Sequence, residues 1–239
     1  WATAAVFLLA TLVLTVIRPS GWLQFNTHPQ LWWLMLASGL TNVGFNWAVT
    51  TGDVVRVVLL FYLMPTWSLL LAWWLLNERP SRGAVARLTL ALVGVLLVLK
   101  TPESDWPLPQ DLTDVLALLA GFCFALTNIW LLRLQHTSDS ARMVAMFGGG
   151  ALMALVCALT AMWTGVIPSA DIGQLNTSNA PQIVALAATW APWVVGLSSA
   201  FLVSNFTLQY GAARLSAHTT AMVMMSEVVF ASVSSVAMG

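Results

Sequence analysis

Two asparagines four residues apart interrupt an apolar run in the stretch GLTNVGFNW, residues 39–47. If this run is a helix, Asn42 and Asn46 share one face. An amide transferred into an apolar environment without a partner costs several kcal/mol on transfer scales, roughly 1–3 kcal/mol in proteins. The pair therefore needs partners. Two kinds would serve: amides of neighbouring membrane helices, which bond across an interface, or the polar contents of a cavity.

A second segment later in the chain carries the same polar spacing. When Leu40 of LTNVGFNWAV is set on Val203 of VSNFTLQYGA, Asn42 aligns with Asn205 and Asn46 aligns with Gln209. An aromatic residue follows the second amide in both segments. Bonds that only tie helices together have no need to recur, so the recurrence favours a cavity lined by both segments and predicts that all four amides bind substrate.

The last apolar run contains a carboxylic acid, Glu227, and a histidine precedes it, His218. An acid inside a membrane helix is by default a functional hypothesis. Glu227 could bind a substrate ammonium or relay protons, or it could be a neutral buried carboxyl that fixes packing. His218 can titrate near neutral pH. It would then take part in proton coupling, or it lies at the membrane edge near Arg214.

A proline lies within the run FYLMPTW. Pro65 bends a helix and frees a backbone carbonyl, and such breaks line the pathways of transporters. The alternative is a static kink. Met64 and Trp67 flank it and are predicted to contact substrate. In a later apolar run, Phe124 and Asn128 share a face at a spacing of four, and we predict that they line the same cavity.

The composition is that of an integral membrane protein. Of 239 residues, 59% are hydrophobic and 8% are charged, against roughly 25% charged residues in soluble domains. The net charge of zero and the lack of a basic cluster argue against a nucleic-acid partner. Cys123 and Cys157 are isolated, so they predict neither a disulfide framework nor a metal site. No cofactor is expected, and no catalytic motif indicates an enzyme. The glycines at 148–150 predict close helix packing.

The chain divides into eight apolar segments, each predicting a membrane helix. They are residues 2–17, 29–49, 53–76, 82–99, 111–132, 139–166, 181–209 and 215–238. Arginine is concentrated in the loops that follow odd-numbered segments, which predicts that those loops are cytoplasmic. The first segment would then begin outside, which suggests a further helix upstream.

The aligned amides relate the second and third segments to the seventh and eighth. This offset of five helices is odd, so the two copies would have opposite orientations, as in secondary transporters with inverted repeats. The predicted domains are an N-terminal repeat, 1–100, lacking its first helix, and a C-terminal repeat, 111–239, lacking its last. The predicted fold is thus an all-α polytopic membrane protein with two inverted five-helix repeats. Eight of the ten helices of the full molecule would lie in this chain, and both termini of the full molecule would be cytoplasmic.

The run FYLMPTWSLLLAWWLLNERPSRG resembles the first-half signature of EamA-type transporters in the drug/metabolite transporter superfamily. It has Tyr-Leu-x-Pro at residues 62–65 and then Glu78 and Arg79. The run SEVVF resembles the second-half signature in Glu227, but Val228 stands where the family has proline. The resemblance implies two inverted five-helix repeats and a substrate-exporting carrier. Within the family, the Tyr-Leu-x-Pro motif and the run GFCFALTNIWLLR most resemble bacterial aromatic amino-acid exporters. This narrower resemblance implies the bacterial inner (plasma) membrane.

The resulting hypothesis is a carrier that exports small amphipathic metabolites, above all aromatic or neutral amino acids, by alternating access through a midplane cavity. Its partners would be the small-molecule substrate and the lipid bilayer, and nothing requires more than a monomer. A nucleotide sugar is an alternative cargo, but it would need cations in the cavity. Arg56 is the one candidate deep enough, unless it reaches to the membrane surface. A sensor or scaffold that does not transport is the alternative of another class.

Overall fold

The computed structural model describes residues 2–99, 111–164 and 180–212, together with positions 109, 214, 215, 219 and 223. This part of the chain forms nine helices and no strand. They are α1 (Ala2–Ile17), α2 (Ser20–Thr27), α3 (Gln30–Thr51), α4 (Val54–Phe61), α5 (Met64–Leu76), α6 (Arg82–Leu99), α7 (Leu112–Arg133), α8 (Asp139–Trp163) and α9 (Ala180–Ala212). The predicted all-α membrane fold is confirmed.

Several of these helices can cross a bilayer. Within the described ranges, four segments are long and apolar enough: Val54–Leu76, Leu112–Arg133, Asp139–Trp163 and Ala188–Leu208. A fifth would be the pair α1 and α2, which meet at 93°. The sequence predicted α1 but not α2. Trp22 of α2 holds the bend by donating from Nε1 to Thr15 Oγ1 at 3.0 Å.

Polar residues set the ends of several helices. Asp53, Asp111 and Ser138 are the N-caps of α4, α7 and α8, and each side chain accepts a backbone N–H of the first turn. Asn77 ends α5 with a φ of 54°, a left-handed conformation that asparagine tolerates better than most residues. Such caps explain why these helices begin or end close to the predicted span boundaries. Most of the predicted span 215–238 lies outside the described residues.

The chain forms two compact units, Trp1–Gly39 with Thr137–Gln209, and Leu40–His136 with Tyr210–Gly239. The division falls within α3 and within α9. Each unit therefore takes residues from both predicted repeats, 1–100 and 111–239. The assignment of those two ranges as repeat domains stays a prediction.

In the first unit, α1 and α2 pack on α8, and the start of α3 and Phe7 of α1 come close to the glycines of α8. A Cβ atom at Gly148 would lie 2.7 Å from the Met35 side chain, and one at Gly39 would lie 2.5 Å from the Gly149 carbonyl oxygen. Gly149 faces the Met35 carbonyl, and Gly150 faces the Phe7 ring. The predicted close packing at residues 148–150 is confirmed.

In the second unit, α4 and α5 both pack on α7. The N-terminal part of α4 meets the N-terminal part of α7, where Arg56 contacts Asp114. The C-terminal end of α5 meets the C-terminal end of α7, where Arg133 donates to the Leu75 carbonyl. The broken span α4–α5 thus runs parallel to α7, as two odd-numbered membrane segments should.

Candidate functional site

The span 54–76 is interrupted at its proline. Helix α4 ends at Phe61, Tyr62 and Leu63 form a turn, and α5 begins at Met64 with Pro65 in its first turn. Because proline has no N–H, the carbonyl of Phe61, four residues earlier, loses its regular helical donor. Met64 is 1% exposed, and Pro65 is buried beside it. The break is therefore an internal feature of the second unit.

Helix α7 approaches this break at a glycine. A Cβ atom at Gly121 would lie 2.8 Å from the Phe61 carbonyl oxygen, closer than side chains normally come to backbone. The Phe61 ring lies 5.7 Å from the Phe124 ring and 4.7 Å from the Phe45 ring, centroid to centroid. Phe124 is half-buried in this aromatic contact. Glycine at 121 allows α7 to cover the carbonyl that proline exposes.

Asn128 lies one turn beyond Phe124 on α7 and is 2% exposed. Neither its Nδ2 nor its Oδ1 has a hydrogen-bond partner among the described residues. Nearly all buried polar groups in native proteins are paired. Leaving one unpaired costs roughly 1–3 kcal/mol. A side chain that presents both a donor and an acceptor at this cost is suited to hold a polar ligand.

The first turn of α5 adds further polar atoms of the same kind. Thr66 Oγ1, Trp67 Nε1 and Ser68 Oγ are buried without a hydrogen-bond partner in the part of the chain described. Trp130 Nε1 on α7 is also buried without a hydrogen-bond partner among the described residues. We call these four residues and Asn128 the buried polar set. Its members lie on two helices that pack against each other.

An apolar contact also joins α5 and α7. Leu71 and Ala72 of α5 form a buried cluster with Ala125 and Ile129 of α7. The Trp67 ring meets a phenylalanine of α7, Phe122, edge to face at 5.6 Å. Apolar and aromatic contacts thus join the two helices that carry the buried polar set.

The two asparagines of α3 are half-buried in the second unit. Asn46 donates from Nδ2 to the Asn42 carbonyl at 2.7 Å, within its own helix. Asn205 of α9 makes the same local bond, from Nδ2 to the Phe201 carbonyl at 3.0 Å. Asn46 aligns with Gln209 and Asn205 aligns with Asn42, so these two bonds do not compare aligned positions. Each of the two amides uses part of its hydrogen-bonding capacity within its own helix.

The predicted cavity of four amides is not tested by this geometry. Asn42 and Asn46 belong to the second unit, whereas Asn205 and Gln209 belong to the first. The side chain of Gln209, and Glu227 and His218 entirely, lie outside the described residues. Among the predicted site residues, Met64, Pro65 and Trp67 lie on α5, and Phe124 and Asn128 lie on α7, which packs against α5.

An ion pair within the membrane-spanning segments was not predicted. Arg56 Nε lies 2.9 Å from both carboxylate oxygens of Asp114, and its NH2 group lies 2.8 Å from Oδ2. Asp114 is 1% exposed, and the Arg56 side chain is 22% exposed. Arg56 therefore neither simply reaches to the surface nor offers an unengaged cation. The signal that could have found the pair was the second acid in DLTDV, three residues after the N-cap.

Beside this pair, Asp111 caps α7 just before the spanning segment. The Thr113 hydroxyl donates to Asp111 Oδ1 at 2.5 Å, and the Asp114 N–H donates to the same oxygen at 3.0 Å. These bonds, the hydroxyl first, lower the pKa of the Asp111 carboxyl below its ordinary value. The carboxylate form of the cap is thus stabilised at the start of α7.

Comparison with known proteins agrees with the membrane architecture. No curated protein matches the chain. One family of membrane proteins matches the part of the chain from α1 to α6, which includes the broken span. The match does not include α7, which carries Gly121 and Asn128. Residues 1–100 match the EamA-like transporter family, which identifies this part of the chain as similar to a transporter domain of the drug/metabolite transporter superfamily.

Proposed function

We propose that the protein is a secondary transporter that exports small amphipathic metabolites, chiefly aromatic and other neutral amino acids, by alternating access. The observation that carries the proposal is Asn128, whose buried amide has no hydrogen-bond partner among the described residues. The EamA-like match of residues 1–100 supports transport as the activity. No cofactor is required, and coupling would come from the substrate gradient or an ion gradient.

The buried polar set suits the polar end of an amino acid. The Asn128 Nδ2 group can donate to a carboxylate, and its Oδ1 can accept from an ammonium. The hydroxyls of Thr66 and Ser68 can do either, so a zwitterion would find both kinds of partner. Trp67 and Phe124 supply aromatic surface on the same pair of helices, which favours a substrate with a ring.

The break at Pro65 supports a cycle of alternating access. Discontinuous helices form the substrate sites of many secondary transporters, around which parts of the molecule move in alternating access. Tyr62 and Leu63 form the turn at this break, so α5 can tilt there without unfolding a complete helix. A tilt of α5 would move Thr66, Trp67 and Ser68 together.

The ion pair favours a neutral cargo over a nucleotide sugar. A phosphate would need a cation, and the guanidinium of Arg56 is held by Asp114 through two nitrogen atoms. For a neutral substrate no such cation is necessary. We propose that the protein lies in the bacterial inner membrane as a monomer, with both termini of the full protein cytoplasmic.

Counterflow in proteoliposomes tests the proposal directly. Labelled tryptophan, phenylalanine and threonine should exchange across vesicles that contain the full chain, and Asn128→Leu should abolish the exchange. Because leucine removes a buried unpaired amide, this variant should unfold at the same or a higher temperature than the unmodified protein. If Asn128→Leu loses transport but keeps its unfolding temperature, Asn128 binds substrate rather than stabilising the packing of the helices.

The matched control is Asn26→Leu, the same change at an exposed position of α2, which should transport normally. If none of the three amino acids exchanges or competes, the substrate assignment is wrong. If Asn128→Leu transports normally, or unfolds well below the unmodified protein, Asn128 does not bind substrate.

A further inference from the structure

A second feature of α5 and α7 shares only Trp67 with the buried polar set. A groove of about 580 Å³ is lined by Leu70, Trp73, Trp74 and Asn77 of α5, with Trp67 and Phe122 at its inner end. We call it the tryptophan groove. Its walls are almost entirely apolar, and the one polar wall residue, Asn77, lies at the C-terminal end of α5.

The outer wall of the groove is exposed although it belongs to a membrane-spanning segment. Leu70 is 45% exposed, Trp73 57% and Trp74 76%. Side chains of this kind on a spanning helix contact lipid, and tryptophans near the end of such a helix lie at the headgroup level. The groove is therefore open to the hydrocarbon chains of the bilayer along its length.

Positive charge gathers where the groove ends. Arg133, in the last turn of α7, donates to the Leu75 carbonyl beside Asn77, and its guanidinium lies 5.6 Å from the Trp130 ring centroid. Arg79 and Arg82 follow in the next few residues, and both are exposed. Glu78 is the one acid in this stretch. Three arginines against one glutamate favour an anionic group over a neutral one.

We propose that the tryptophan groove binds one phospholipid with an anionic headgroup. An acyl chain lies along Leu70, Trp73 and Phe122. The phosphate lies at the end of the groove, where Arg133 and Arg79 contribute positive charge and the Asn77 amide can donate a hydrogen bond. Basic sites next to membrane helices recognise such headgroups. The headgroup end of this site, at Asn77, Arg79 and Arg133, uses no residue of the proposed substrate site, so the preference for an anionic lipid does not depend on the proposed substrate.

Native mass spectrometry of the purified full chain tests the proposal. The protein is mixed with equal amounts of phosphatidylglycerol and phosphatidylcholine that carry identical acyl chains. Phosphatidylglycerol should be retained in preference, by about fivefold for each arginine that contacts the headgroup. Arg79→Gln should lower the preference by about that factor. Arg18→Gln, the same change at another exposed arginine, should not alter it.

A second variant tests the groove itself. Leu70→Trp adds bulk to the wall of the groove and should release both lipids. Leu159→Trp, at an exposed leucine of α8, should release neither. Equal retention of the two lipids, or equal effects of the two tryptophan variants, would overturn the proposal in favour of unspecific lipid. It is also overturned if Trp73→Cys yields a disulfide-linked dimer in vesicles, because a second copy then covers the groove.

Discussion

The Arg56 guanidinium and the Asp114 carboxylate join the start of α4 to the first turn of α7, with contacts of 2.8 to 2.9 Å. At the opposite ends, Arg133 donates to the Leu75 carbonyl. The two pairs have the same sequence separation, 58 residues. Two arginines, one on each helix of the pair, thus fasten the broken span α4–α5 to α7 at both ends, and the Pro65 break lies between the fastened points.

The ion pair should be strongly coupled. Asp114→Leu leaves Arg56 without its carboxylate in a spanning segment, which should lower the free energy of unfolding by about 3 kcal/mol. The double variant Arg56→Met with Asp114→Leu should recover most of this loss, because an apolar pair of similar size replaces two charges. Thermal unfolding of the two single variants and the double variant in detergent measures the coupling. Additive losses would show that the two side chains do not stabilise each other.

Gly121 should tolerate no side chain. Gly121→Ala places a Cβ atom 2.8 Å from the Phe61 carbonyl oxygen, so α7 must move away from the break. We expect a loss of about 1–3 kcal/mol in stability, as for other overpacked sites. The control is Gly83→Ala in α6, where an added Cβ meets nothing within 4 Å. There alanine should stabilise the helix by up to about 1 kcal/mol. Equal effects at the two positions would mean that the close approach is unimportant.

The helices and their order follow from the sequence, but their pairing does not. Long apolar runs determine where a helix can form in a bilayer, so the bounds of the helices from α3 to α9 were predicted within a few residues, apart from the break between α4 and α5. Helix α2 was missed because SGWLQFNT is short and mixed in polarity. Its bend depends on a bond between Trp22 and Thr15 that no periodicity reveals.

The site shows the same limit. Asn128 was predicted because an amide in an apolar run is visible in the sequence alone. Asp114 was not, since its meaning comes from Arg56, 58 residues away. Gly121 and the hydroxyls of Thr66 and Ser68 could be identified as candidates only from the packing of α5 on α7. Contacts between helices depend on rotation and register, and the spacing of residues within one helix does not determine them.

The break at Pro65 should matter for transport more than for folding. Pro65→Ala supplies an N–H that can bond to the Phe61 carbonyl, which favours one continuous helix through residues 62–65. We expect slower counterflow with unchanged or increased thermal stability. Pro192→Ala is the control, because Pro192 also lies inside a helix, α9, but is exposed. If Pro65→Ala transports at the normal rate, the break is a static kink rather than a hinge.

The cap at Asp111 should make stability depend on pH in the acid range. Its hydrogen bonds lower the pKa of the folded state below the ordinary value of 3.8. The unfolded chain therefore takes up the proton first as pH falls. The stabilisation is complete above the ordinary pKa and is lost as pH drops through the lower, folded-state pKa. Asp111→Asn keeps a good N-cap but cannot titrate.

The difference in unfolding temperature between the unmodified protein and Asp111→Asn should thus be constant near neutral pH. Below about pH 4 the unmodified protein should lose unfolding temperature relative to Asp111→Asn. Asp53→Asn is a suitable control, because Asp53 is also an exposed acid that caps a helix, α4, and tests whether acid sensitivity is general. A difference that stays constant down to pH 3 would contradict a lowered pKa at Asp111, since a cap with an ordinary pKa in both states adds no pH dependence.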